Sequence, residues 1–351
     1  MIVLDDPGEE VRPTAPEPAR RRPAGRSRTA VLGALAGLLA LLTAWLTLGD
    51  GLDRWRGEPV LESACDGLLP VAAARAVLGG GRLAERRDLP SATDGARADL
   101  RCVVARTGEG GSRVDVAVHR PARGADTVGT PAYPGAEARW PVPLGPGWDG
   151  FFAGSTRTEP RALAATVAVL VACPRRAADL LVTVEGVLVD GAVDNPADRL
   201  RLARLATGTA RASADRFDCG ARLGADPAAI ALPPGPDEDV APSEARGACA
   251  GVPPPSGTAR ARETGPGVAL REHCELTPPG ADHLRYELDA YYGPYAEAAR
   301  EGAREGELVA EAGCAVYVLR SLESGADGDY ARRALDAFAT RSPPRACAPR
   351  P

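Results

Sequence analysis

The sequence predicts an α+β protein in which one transmembrane helix precedes two disulfide-stapled α+β repeats, the second shorter. Three observations carry that expectation. An uncharged apolar run occupies residues 29–48, all eight cysteines fall beyond it, and four landmarks recur in the same order in two stretches of the chain. At 351 residues there is room for an anchor and two modest domains.

Residues 1–28 hold six Arg, five acids and five Pro with almost no large apolar side chains. Such a segment cannot bury enough surface to offset its ordering entropy, so a disordered cytoplasmic tail is expected. From Thr29 to Leu48 runs TAVLGALAGLLALLTAWLTL. Twenty such residues rise ~1.5 Å each and span ~30 Å, the hydrocarbon thickness of a bilayer. Trp45 and Trp55 flank its outer end, where amphipathic rings favour the interface. Arg20, Arg21, Arg22, Arg26 and Arg28 precede the run, whereas Arg54 and Arg56 after it are mixed with Asp50, Asp53 and Glu58. Positive charge stays inside, so the expected protein is single-pass in the cell membrane, with a cytoplasmic N-terminus and the lipid bilayer as a partner. The run exceeds an ordinary signal-peptide core and no small-x-small site follows closely, which reads as an uncleaved signal-anchor. A juxtamembrane spacer (49–60) leads to the extracytoplasmic part.

The cysteines are Cys65, Cys102, Cys173, Cys219, Cys249, Cys274, Cys314 and Cys347. An even count confined to the exported region reads as a disulfide framework, and no C-x-x-C spacing suggests zinc. The first repeat (61–224) carries ACDG at 64–67, DLRCVVA at 99–105, ATVAVLVAC at 165–173 and a helix closing in DRFDCG at 215–220. The second (248–351) carries ACAG at 248–251, LREHCEL at 270–276, EAGCAVYVL at 311–319 and a helix closing at RACA at 345–348. Self-similarity of this kind resets the domain count. If each copy is one unit, the economical pairing is Cys65–Cys102, Cys173–Cys219, Cys249–Cys274 and Cys314–Cys347. The Pro- and acid-rich stretch 225–247 reads as a semi-extended linker.

Local patterns fill in the α+β units. LLPVAAARAVLGGG (68–81) is a helix stopped by glycines. SRVDVAVH (112–119) alternates valine with polar residues, a half-buried strand, and Gly108 to Gly111 turn it back on strand 99–106. LLVTVEGVLV (180–189) is a further strand. Residues 195–217 form the best helix, with Pro196 in its first turn and Leu200, Leu202, Ala203, Leu205 and Ala206 on its apolar side. YARRALDAFAT (330–340) is its counterpart, with Ala331, Leu335 and Phe338 inward.

Composition narrows the chemistry. Every basic residue is Arg, so a Walker-A loop and a Schiff-base lysine are impossible. The net charge of −5 gives nucleic acid no support as a partner. His119, His273 and His283 lack metal-ligand spacing, and Glu272 and Glu275 beside His273 point to opposite faces of a strand. No G-x-S-x-G elbow occurs. No metal, cofactor or catalytic residue is therefore expected. Carboxylates remain: Asp149, Glu159, Glu185 or Asp190 could pair as in a glycosidase, though nothing in the sequence sets their separation.

Only 15 aromatics exist, yet Trp140, Trp148, Phe151 and Phe152 fall within WPVPLGPGWDGFF, and Tyr286, Tyr291, Tyr292 and Tyr295 within YELDAYYGPY. Large side chains can fill a core beneath an irregular connection, or form an exposed platform for a glycan or an envelope protein. The Trp cluster is the better candidate surface. The expected function is a non-enzymatic, membrane-anchored extracytoplasmic binding or scaffolding module. The alternatives are a carboxylate-dependent hydrolase and a sensor signalling through residues 1–28.

The segments PLGPGWDGFF, VLVACP, LLVTVEG and LARLATGTARASADRFDCG resemble a group of uncharacterised actinobacterial single-pass membrane-anchored proteins with Cys-containing extracytoplasmic repeats. The resemblance covers most of 60–220 and is weaker over 248–351. It implies location and architecture, and no activity, cofactor or site residue.

Overall fold

A computed structural model of the chain describes residues 26–48, 58–86, 100–108, 111–120, 140–156, 162–234, 238–255, 260–265, 270–277, 286–302, 306–321 and 328–341. The expected tail up to residue 25, the spacer at 49–57, Glu159, His283 and Cys347 lie outside them. The chain divides into two compact units, Met1–Leu52 and Asp53–Pro351.

The first unit contains α1 (Arg26–Leu48), whose Leu32, Leu35, Leu38, Leu39 and Leu41 are exposed. Here the transmembrane expectation is corrected. Among the described residues no helix is long and apolar enough to cross a membrane. A crossing helix needs ~20 consecutive apolar residues. The single-pass and signal-anchor readings fall with it.

The second unit is α+β, built on two antiparallel sheets. The first joins β1 (Leu83–Arg86), β2 (Leu100–Arg106), β3 (Arg113–His119), β4 (Val142–Pro143), β5 (Asp149–Thr156), β6 (Ala162–Val171) and β7 (Leu180–Val189) in the order β1-β2-β3-β7-β6-β5-β4. The second joins β8 (Arg260–Glu263), β9 (Arg271–Thr277), β10 (Tyr286–Tyr292), β11 (Leu308–Ala312) and β12 (Ala315–Ser321) as β8-β9-β10-β12-β11. Without β4 and β5 the two orders are the same. The registers agree as well: Cys102, Val116, Val184 and Val167 stand opposite one another across β2, β3, β7 and β6. Cys274, Leu288, Leu319 and Leu308 do so across β9, β10, β12 and β11. The landmark at 311–319 comprises the end of β11, a turn at Gly313 and Cys314, and the start of β12.

Helices cover the outer faces. Short α2 (Val71–Leu78) and long α3 (Pro196–Arg216) pack on the first sheet, where Leu202, Leu205 and Ala206 meet Val114, Val116, Val167, Val182 and Val184. Asn195 caps α3 by accepting from the Ala197 amide, and Pro196 follows it with its φ already suited to the first turn. On the second sheet α5 (Gly328–Arg341) buries Ala331, Leu335 and Phe338 against Leu276, Leu288 and Tyr317. The inner faces pack on each other: Phe151, Ala168 and Leu181 meet Leu270, Tyr291, Val316 and Val318. Helix α4 (Pro294–Gly302) adds Tyr295, Ala296 and Ala299 to that layer. The result is four layers, helix–sheet–sheet–helix.

Disulfides staple the repeats as Cys65–Cys102, Cys173–Cys219 and Cys249–Cys274. Cys314 is also disulfide-bonded, and its expected partner Cys347 lies outside the described residues. A glutamate steadies the first cysteine of each copy. Glu85 on β1 accepts from the Cys65 amide at 2.8 Å, and Glu263 on β8 accepts from the Cys249 amide at 2.7 Å. Between the copies, Ile230 is buried in the first core and Val240 forms a β-bridge with Ala261.

Gly186 on β7 lets α3 approach closely, since a Cβ there would overlap a methyl of Leu202. Gly186→Ala is expected to cost ~1–3 kcal/mol through overpacking, read as a lower urea midpoint with an unchanged slope.

Candidate functional site

The layer between the sheets gathers the polar and aromatic side chains that the sequence leaves scattered. On a strand, alternate residues share a face. Arg271, His273 and Glu275 on β9 therefore point inward together, as do Glu287, Asp289 and Tyr291 on β10. Register sets His273 opposite Asp289, Arg271 opposite Tyr291, and Glu275 opposite Glu287.

Asp289 is the centre of the cluster and is fully buried. Its Oδ1 accepts from Arg271 Nη2 at 2.9 Å and Nε at 3.2 Å, and lies 2.8 Å from His273 Nδ1. Its Oδ2 accepts from Arg320 Nη1 at 2.9 Å, and Arg320 Nε in turn donates to Glu307 at 2.6 Å. Burial alone would raise the Asp289 pKa. The charges of Arg271 and His273 outweigh it and hold the carboxyl below the usual carboxylate range. Burial likewise lowers the Arg271 pKa, and Asp289 more than restores it.

Part of each aromatic cluster lies in this layer. Trp140 lies edge-on to His273 with ring centroids 4.6 Å apart, and the Arg262 guanidinium sits over the Trp140 ring at 5.4 Å from its centroid. Phe151 meets Tyr295 at 5.8 Å. The exposed-platform reading is corrected. Phe151 and Phe152 have 0 % exposure and Trp148 has 7 %, while Trp140 is half-buried. Phe151 and Phe152 are neighbours on β5, so they face opposite sides of the sheet. Trp148 belongs to the first core, where its indole donates to the Ala225 carbonyl at 2.7 Å beneath Arg211. Trp140, Phe151, Tyr291 and Tyr295 join the halves of this unit, while Trp148 and Phe152 belong to the first core and Tyr286 and Tyr292 to the core beneath α5.

The carboxylates singled out for hydrolysis are not brought together. Asp149 and Glu185 share the inner face of the first sheet, but β6 separates their strands. Asp149 aligns through Leu170 with Leu181, four residues from Glu185. Two strand spacings and four residues of rise place them ~16 Å apart, beyond the ~5–9.5 Å of glycosidase pairs. Asp190 lies past the end of β7. Glu185 is exposed near Arg101, which pairs with Asp115. His119 is buried on the inner face of β3. Among the described residues, one group has the closeness of a metal site, Cys65, Glu85 and Cys102. Its sulfurs are joined to each other, so they are not available as thiolate ligands.

Compared with protein-family models, with curated proteins and with solved structures, the chain matches none. The geometry therefore carries the functional argument alone.

Burial raises the pKa values of Tyr291, Tyr295 and Tyr330 above the ordinary tyrosine value. Their neutral forms belong to the folded state, while the unfolded chain releases these protons near pH ~10. Stability from these groups is complete below pH ~10 and is lost as pH rises through the folded values. A tyrosinate absorbance titration is expected to show these three ionising together with unfolding.

Proposed function

We propose that this chain is a non-enzymatic binding module of an oxidising, extracytoplasmic compartment. One observation carries the reading. The buried carboxylate of Asp289 gathers His273, Arg271 and the part-exposed Arg320 around itself in the layer between the sheets. A buried network centred on one carboxylate holds the strands of a rigid body in register, and recognition then belongs to the outer edges and loops. The disulfides support the compartment, because such bridges persist where thiols are oxidised.

A carboxylate hydrolase is the second reading, supported by Glu275 and Glu287 standing opposite each other and nearly buried. Directly opposed Cβ atoms lie ~4.5–5.5 Å apart, so two acids can share one site. The test offers full-length oxidised protein a panel of chromogenic glycosides and esters. The binding reading expects no turnover above buffer. Turnover that disappears in Glu287→Gln would replace it with the hydrolase.

A further inference from the structure

The duplication shows what one sheet edge is built to receive. In the first repeat the outer side of β6 is filled by β5, in antiparallel register. In the second repeat the equivalent strand is β11, and the connection that could have covered it is α4, folded instead into the layer between the sheets. Among the described residues the backbone of Leu308–Ala312 pairs with β12 alone.

Unpaired edges are hazards that proteins usually blunt, and the other three edges are blunted. Strand β4 has two residues and ends in Pro143. Strand β1 is the short, charged LAER. Strand β8 bonds to Val240 in both directions, at 2.9 and 2.8 Å, and Asp239 pairs with Arg262 alongside. Strand β11 has no proline, and its single charge, Glu311, is matched by Arg300. Its Val309 is 40 % exposed.

We propose that the edge of β11 takes up an extended segment of a partner protein as an added antiparallel strand, in the place that β5 holds on β6. The inference deepens the binding-module reading and rests on it. Strand addition draws affinity from main-chain bonds and specificity from alternate side chains. The registers identify those side chains. Val167 and Ala168 of β6 stand opposite Phe152 and Phe151, and their equivalents on β11 are Leu308 and Val309. The partner segment therefore carries two adjacent large apolar residues. One covers Leu308 on the α5 side, and the other covers Val309 on the inner side.

The test uses full-length oxidised protein and a synthetic peptide of residues 150–156, GFFAGST, as the strand mimic. Backbone hydrogen exchange is followed with increasing peptide. The expected result is saturable slowing of amides in 308–312 by about tenfold or more, abolished by Val309→Lys, which blunts the edge at an exposed position and leaves the melting temperature unchanged. No slowing in 308–312 at the highest peptide concentration overturns the proposal. Slowing confined to another surface also overturns it and leaves the binding-module reading standing. Protection of 308–312 without peptide, rising with protein concentration as a dimer forms, assigns the edge to a second copy and overturns the partner segment. Cleavage of a peptide that does protect 308–312 supports the strand site while sinking the non-enzymatic reading.

Discussion

Asp289→Ala is expected to lower folding stability by about 3–5 kcal/mol, the range for removing one member of a buried ion pair. The side chain removed is fully buried and answers Arg271, His273 and Arg320 together. Arg271 has 1 % exposure and cannot turn its charge to water. The variant therefore leaves a guanidinium uncompensated between two sheets. Arg320 is less affected, because its side chain is 21 % exposed and Glu307 still accepts from it. The cost comes from the stranded charge rather than from the net worth of the pair, which a second variant separates. Arg271→Met with Asp289→Leu removes both charges and fills similar volume, so its urea midpoint should recover most of the loss. If the double variant is as unstable as the single one, the network itself contributes, and the stranded-charge explanation fails. The acid limb gives an independent check. The Asp289 carboxyl is held below its ordinary range, so its contribution is present above the unfolded value of ~3.9 and disappears as pH falls through the folded one. Wild-type protein should lose stability on that limb, and the double variant should lose less.

The sequence tells much of the local structure and little of how the layers stack. Period-two valines at 114, 116 and 118 announce β3, and Asn195-Pro196 announces the start of α3, because caps and alternation are local effects. The duplication is equally legible, since Cys102 and Cys274 each lie on a strand, and Cys173 and Cys314 each follow the end of one. What misleads is the polar face of the second sheet. Arg271, His273 and Glu275 share one face of β9, opposite Cys274 and Leu276, as they would on a strand with one side in water. Only the tertiary packing shows that the other side meets a second sheet, which turns three surface charges into a buried network. The aromatic clusters mislead for the same reason: Trp140, Phe151 and Tyr295 are unusual in the sequence because they join two halves. The signal that could have exposed both is their conjunction. Each repeat carries apolar or aromatic residues at positions where a lone, one-sided sheet would have no use for them.

Removing the Cys173–Cys219 bridge as Cys173→Ala with Cys219→Ala should cost about 4 kcal/mol, because the bridge closes a separation of 46 residues in the unfolded chain. Alanine is preferred to serine since both sulfurs are buried and a hydroxyl there would need a partner. The Cys249–Cys274 bridge spans 25 residues and should cost about half a kcal/mol less on the same chain-entropy argument. Losses that ignore this order would mean that native packing around the sulfurs, rather than loop closure, sets the cost. Non-reducing peptide mapping comes first, and a Cys102–Cys249 link would end the repeat-by-repeat scheme. The manner of unfolding then tests the four-layer architecture. The bridge ties β6 to the end of α3 in the first repeat alone, yet Phe151 and Leu181 of that repeat share a core with Tyr291 and Val318 of the second. A common core makes one cooperative transition, so near- and far-ultraviolet signals should both shift to lower temperature together. If the second sheet instead melts unchanged while the first is weakened, the inter-sheet layer contributes little, and the two repeats are neighbours rather than one folded body.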